Sequence, residues 1–182
     1  MSQPHIVALG GALRSGSTTE RLLARALALA EAGGARTTLL AGDAIDFPNF
    51  DPAIAKESEA VARMVETIRT ADGLILGSPG YHGTLSGLVK NALDHLELLR
   101  TDDRVYLDGM PVGLVAVAAG WQASVATLTT LRTIVHSLRG WPTPMGVVVN
   151  GSESDDSVAA AEEQLAIMVE QMLAFLRRGT QA

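Results

Sequence analysis

Residues 74–99, LILGSPGYHGTLSGLVKNALDHLELL, decide how this chain is read. An apolar run, Leu74-Ile75-Leu76, enters the turn-rich segment Gly77-Ser78-Pro79-Gly80-Tyr81-His82-Gly83. Leu85, Leu88, Val89, Ala92, Leu93, Leu96 and Leu99 then recur at helical spacing on one face. The order is strand, loop, helix. In an open parallel sheet, ligands bind in the loops leaving the carboxyl ends of strands, so an aromatic and a histidine among small residues mark this loop as a candidate site.

The flanking sequence repeats that unit. His5 to Leu9 is a β-prone run opening into Gly10-Gly11-Ala12-Leu13-Arg14-Ser15-Gly16-Ser17-Thr18-Thr19-Glu20. Ser17 followed three residues later by Glu20 predicts a capping box, with Leu22, Leu23, Ala26, Leu27 and Ala30 on the helix face and a stop at Gly33-Gly34. A second strand is expected at Thr37 to Leu40. After a long connection through Asp46 to Pro52, Val61, Met64, Val65 and Ile68 mark the next helix. Thr101 to Met110 is polar and turn-rich. Pro111 to Ala118, almost wholly apolar, suits a strand buried on both faces and ends in Ala119-Gly120-Trp121-Gln122. A fourth helix is predicted through Val125, Leu128, Leu131, Val135 and Leu138, and a fifth strand at Met145 to Val149. The last helix starts at Asp155-Asp156, runs through Val158, Leu165, Met168, Val169, Met172 and Leu176, and ends at Arg177-Arg178-Gly179, charges suited to its dipole. Five strands alternating with five helices predict a single α/β domain over residues 1–182, a three-layer sandwich around a parallel sheet with right-handed crossovers.

Composition narrows the chemistry. Of 182 residues, 47% are hydrophobic and 19% charged, and the net charge is −6, which argues against nucleic acid or an anionic membrane as partner. The chain has no cysteine, so disulfides, thiolate metal sites and Cys nucleophiles are excluded; His5, His82, His95 and His136 lack the spacing of a zinc site. Met1 to His5 has no basic, long-apolar signal and no apolar stretch reaches the roughly 18 residues of a membrane span, so the expected compartment is the cytoplasm.

The Gly10 to Thr19 loop has the makings of a phosphate cradle: glycines that let N–H groups approach an anion, the hydroxyls of Ser17, Thr18 and Thr19, a helix start, and Arg14. In a five-stranded sheet of order 2-1-3-4-5, strands one and three flank the switch point, and one extended ligand touches both loops. Flavin mononucleotide (FMN) has that shape, with a phosphate at one end and a flat ring at the other.

Ser78 to Asp94 resembles the S-P-x-Y-H/N-G-S/T-x-x-G-x-L/V-K-N-A-L/I-D segment of NADPH-dependent FMN reductases, and Gly10 to Ser17 is similar to their phosphate loop, G-G-S-L-R-x-G-S. The resemblance implies a flavodoxin-like fold and an NAD(P)H-dependent FMN reductase passing hydride from a nicotinamide to the flavin. It also implies cofactors FMN and NAD(P)H, small-molecule substrates, a monooxygenase that receives reduced flavin, and a homodimer or homotetramer. By position it assigns Arg14, Ser17, Thr18 and Thr19 to the phosphate and Ser78, Pro79, Gly80, Tyr81, His82 and Gly83 to the ring loop. Gly120 and Trp121 fall on the third flavin loop, where N–H groups from Gly120 to Gln122 are expected to face the pyrimidine edge of the ring. Ala12 departs from the family's serine. Lys90, Asn91 and Asp94 read as structural. An FMN-bound reductase of quinones, azo compounds or metal oxyanions, and a flavodoxin-type electron carrier, remain alternatives. A phosphoacceptor signalling domain is disfavoured, because Gly77-Ser78 and Val149-Asn150 stand where it needs an aspartate and a lysine.

Overall fold

The computed structural model describes residues 3–152 and 156–179. The strands are β1 (His5–Gly10), β2 (Arg36–Leu40), β3 (Gly73–Tyr81), β4 (Thr84–Leu85), β5 (Pro111–Ala118) and β6 (Trp141–Asn150). The helices are α1 (Thr18–Ala32), α2 (Glu59–Arg69), α3 (Gly87–Asp94), α4 (Trp121–Ser137) and α5 (Ser157–Gly179). Five strands form a parallel sheet of order β2-β1-β3-β5-β6, and β4 pairs antiparallel with the end of β3. Without β4 this is the expected 2-1-3-4-5 order, a flavodoxin-like arrangement.

Alternation along the central strands divides the apolar residues between two cores. Val7, Leu9, Leu74, Leu76, Val112 and Leu114 pack against α2, α3 and the buried face of α4, whereas Ile6, Ala8, Ile75, Val115 and Val117 pack against α1 and α5. Every residue of β1 and β5 is buried, which is why these strands read as unbroken apolar runs.

Several expectations are corrected. β3 does not end at Leu76: it continues through Gly77-Ser78-Pro79-Gly80-Tyr81, because Gly77 pairs with both Gly10 and Val115, and Pro79 with Val117. A β-carbon added at Gly10 would lie 1.8 Å from the Gly77 carbonyl oxygen, so the glycines serve close backbone approach. The third helix stops at Asp94 and tightens into a 3-10 turn over His95–Leu99. Val125 is 50% exposed; beside the expected Leu131 and Val135, α4 buries Ser124 and Thr127, small hydroxyl residues that an apolar pattern overlooks. The Glu20 carboxylate accepts from the Gly16 N–H rather than that of Ser17, while Ser17 Oγ accepts from the Glu20 N–H as predicted. Asp155, the expected start of the last helix, lies outside the described residues. No described helix is long and apolar enough to cross a membrane.

The connections are held by polar side chains. Asn91 accepts from the Phe50 N–H and donates to the carbonyls of Phe47 and Pro48, clamping the long β2–α2 connection onto α3. Lys90 and Asp94 pair with each other at 2.6 Å. His95 is a core histidine, 2% exposed, with Nδ1 at 2.9 Å from the Asn91 carbonyl oxygen and its ring edge-on to Phe47 and Phe50. At the exposed edge, Arg132 donates to the carbonyls of Thr143 and Pro144, and Gln171 accepts from the Met145 N–H. Together with Pro142 and Pro144 they blunt the pairing capacity of β6.

Two side chains generate tests. Arg104 donates to the carbonyls of Ile68, Arg69 and Ala71 at the end of α2, where helix carbonyls run short of N–H partners. R104A is expected to cost about 2–3 kcal/mol in urea unfolding, since hydrogen bonds from a charged donor are lost; a change below about 0.5 kcal/mol contradicts that role. His5 is 3% exposed, with Nε2 at 2.9 Å from Thr38 Oγ1, and burial, aided by the Arg36 charge, holds its pKa below the usual histidine value against an opposing pull from Asp72. The unfolded chain therefore binds a proton that the fold refuses, so stability is full above the unfolded pKa of about 6.5 and declines as pH falls. The Tm of the wild type is expected to drop more than that of H5Q between about pH 7.5 and pH 5.5; parallel curves contradict this.

Candidate functional site

The carboxyl ends of β1, β3, β5 and β6 meet around a cleft of about 430 Å³. One end is formed by Ala12, Arg14, Ser17, Thr18 and Thr19, the other by Pro79, Gly80, Tyr81, Val117, Ala118 and Ala119, with Gly151 and Ser152 closing the side. A second cleft of about 380 Å³, lined by Gly83, Ala119, Gly120, Gln122, Ala123 and Ala126, adjoins it at Ala119.

The first end is built for an anion. Ser17 caps α1, so the N–H groups of Thr18 and Thr19 find no backbone or side-chain acceptor among the described residues. Ser17 Oγ accepts from Glu20 and still has its own proton to donate. Arg14 is exposed and makes no ion pair among the described residues, leaving its guanidinium free for a ligand. The positive end of the α1 dipole points the same way.

The second end is a shaped backbone surface. Ser78 is fully buried: its hydroxyl donates to the Pro79 carbonyl and accepts from the Ser86 N–H, so it ties β3 to the start of α3 beneath the cleft. His82 (φ 51°) and Gly83 (φ 88°) form the tight turn between β3 and β4, both left-handed as a type I′ turn requires. Gly80 has no room for a side chain, since a β-carbon there would meet Thr127 Oγ1 at 2.5 Å and Ala118 Cβ at 3.1 Å. Tyr81 stands 54% exposed at the rim.

Of the residues singled out from sequence, Arg14, Ser17, Thr18, Thr19, Pro79, Gly80 and Tyr81 are brought together in the first cleft, and Gly83 and Gly120 line the second. Ser78 lies below the surface, His82 sits in the turn, and Trp121, 49% exposed, begins α4 outside the lining of either cleft. Gly120 has φ 130°, a value that suits glycine at the bend from β5 into α4. Sequence reading missed Gly151 and Ser152. They reach the cleft because the Gly151 N–H bonds to the Ala118 carbonyl, a contact between strand ends with no local signal.

A cation, hydroxyls and free N–H groups at one end and a backbone-walled, largely apolar slot at the other fit a phosphate joined to a flat ring, which is the chemistry of FMN. No cluster of potential metal ligands is found among the described residues.

Comparisons with known proteins bear on the family and the fold. The chain is 38% identical over 109 residues to an FMN-dependent NADPH-azoreductase of Staphylococcus aureus, covering 60% of this chain and 54% of that one, so it spans about half the length of that relative. Among solved structures, it superposes on an apo NADH:FMN oxidoreductase with a TM-score of 0.71 at 25% identity, covering 94% of this chain and 89% of the other. An NAD(P)H:(acceptor) oxidoreductase flavoenzyme from Paracoccus denitrificans, at 18% identity and a TM-score of 0.77 over 96% and 98% of the two chains, shares the fold. So does a flavodoxin, WrbA-like protein from Agrobacterium tumefaciens, at 18% identity and a TM-score of 0.67 over 97% and 99%. The family description NADPH-dependent FMN reductase matches residues 4–155. A match running from before β1 to beyond β6 leaves one assignment: the chain belongs to the NADPH-dependent FMN reductase family.

Proposed function

We propose that this chain is an NAD(P)H-dependent FMN reductase that holds FMN across the cleft. The observation that carries this reading is the meeting of the α1 start with Pro79-Gly80-Tyr81 in one cleft, a donor-rich end facing a ring-shaped slot. The names of the Staphylococcus aureus relative and of the 25%-identical oxidoreductase support the same chemistry.

When bound, FMN supplies a ring nitrogen that accepts hydride from a nicotinamide and passes electrons onward. The chain's own residues position and tune. Arg14, the Ser17, Thr18 and Thr19 hydroxyls and the N–H groups of Thr18 and Thr19 bind the phosphate, fixing one end of the ligand. Pro79, Gly80 and Tyr81 orient the ring, and the His82-Gly83 turn sets the height of that wall. N–H groups at the start of α4, from Gly120 to Gln122, would face the pyrimidine edge of the ring and offset negative charge there. The second cleft, beyond Ala119, leaves room for a nicotinamide to approach. The mechanism asks no side chain to form a covalent bond.

The absorbance spectrum of purified protein, followed by NADH and NADPH oxidation with and without added FMN, tests this function. FMN binding and nucleotide oxidation that depends on it are expected; a protein that binds no flavin and oxidises neither nucleotide overturns the proposal. R14Q, which removes one charged donor from the phosphate end, is expected to weaken FMN binding by about 10–100-fold, as for hydrogen bonds to charged groups.

A further inference from the structure

Helix α4 carries six hydroxyl side chains, and five of them behave alike. Ser124, Thr129, Thr130, Thr133 and Ser137 each donate to the carbonyl four residues back, at 2.9–3.1 Å. This is the ordinary local bond of a helical hydroxyl. Thr127 departs from it. Its side chain is fully buried, and Oγ1 has no partner among the described residues.

The Thr127 hydroxyl is turned toward the candidate ring-binding strand. A β-carbon built on Gly80 would lie 2.5 Å from Thr127 Oγ1 and 3.4 Å from the Ala123 carbonyl oxygen, the acceptor that Thr127 would use if it followed its neighbours. The hydroxyl and its default acceptor thus both border Gly80, and the bond between them is not made. A buried hydroxyl without a partner costs about as much as a lost hydrogen bond, so a fold tolerates one where another state of the molecule uses it. Gly80 is part of the cleft lining, so the state concerned is the one in which that wall bears a ligand.

We propose that Thr127 is a positioning residue for the ring wall: its hydroxyl is held in reserve and bonds the Gly80 main chain when FMN seats against Pro79-Gly80-Tyr81. This rests on the FMN reading above. Thr127 touches no ligand itself and acts through Gly80. Its bond strengthens the loaded conformation only, so affinity for FMN and stability of the ligand-free fold respond to its removal in opposite directions. A hydroxyl that serves the resting fold moves both the same way.

The test measures the Tm of ligand-free protein and the FMN dissociation constant by fluorescence quenching for wild type, T127V and T127S. T127V keeps the branched shape without the hydroxyl, and T127S keeps the hydroxyl. For T127V, an unchanged or raised ligand-free Tm is expected together with FMN binding weakened about tenfold, equivalent to about 1.4 kcal/mol. T127S is expected to bind FMN within about twofold of wild type, hydrogen-bonding capacity being retained. FMN binding unchanged in T127V, a lowered ligand-free Tm in T127V, or a T127V chain that fails to fold each overturns the proposal. Wild-type protein that binds no FMN overturns the proposed function instead, and this inference with it.

Discussion

The close approach of β1 and β3 at Gly10 and Gly77 is the constraint on which the site depends. The Gly11 N–H donates to the Gly77 carbonyl at 3.1 Å, and Gly10 passes that carbonyl with no space for a β-carbon. This contact sets the phosphate-ready loop after β1 directly beside the extended end of β3. A side chain at Gly10 would push the two loops apart, and a ligand anchored at the start of α1 would then miss the Pro79-Gly80 wall; one at Gly77 would press on Leu23 of α1 instead. The 2-1-3 order brings these strands together; Gly10 decides how near they come.

Around that contact, binding and support fall to different residues. Thr18 and Thr19 present free donors because Ser17 takes over the first turn of the helix. Ser78 uses its hydroxyl beneath the cleft, tying the end of β3 to the start of α3 under Pro79 and Gly80. Asn91 and His95 do comparable work farther away, pinning the β2–α2 connection against Phe47 and Phe50. These supports limit how far the cleft must be ordered on binding.

Much of this was legible in the sequence, for reasons that can be stated residue by residue. β1 and β5 are buried on both faces, so their apolar runs are unbroken; Ser17 and Glu20 announce the start of α1; Asn91, on the face of α3 opposite its leucines, reads as structural and is. Where the reading failed, tertiary contacts overrode local signals. Gly77-Ser78-Pro79-Gly80 carries turn chemistry, yet pairing with β1, β5 and, at Gly80, β4 keeps it extended. Arg104 lies in a stretch that looks merely polar, and only the fold reveals that it caps α2. Gly151 and Ser152 enter the cleft through one bond to Ala118, and Ser124 and Thr127 displace Val125 from the buried face of α4.

The central claim is an orientation: phosphate at the start of α1, ring against β3. A crystal structure of the FMN complex tests it most directly. The account predicts the phosphate within hydrogen-bonding distance of the Thr18 and Thr19 N–H groups and the ring in contact with Pro79 and Gly80. A flavin bound elsewhere, or bound in the cleft with its phosphate at the β3 end, would contradict it.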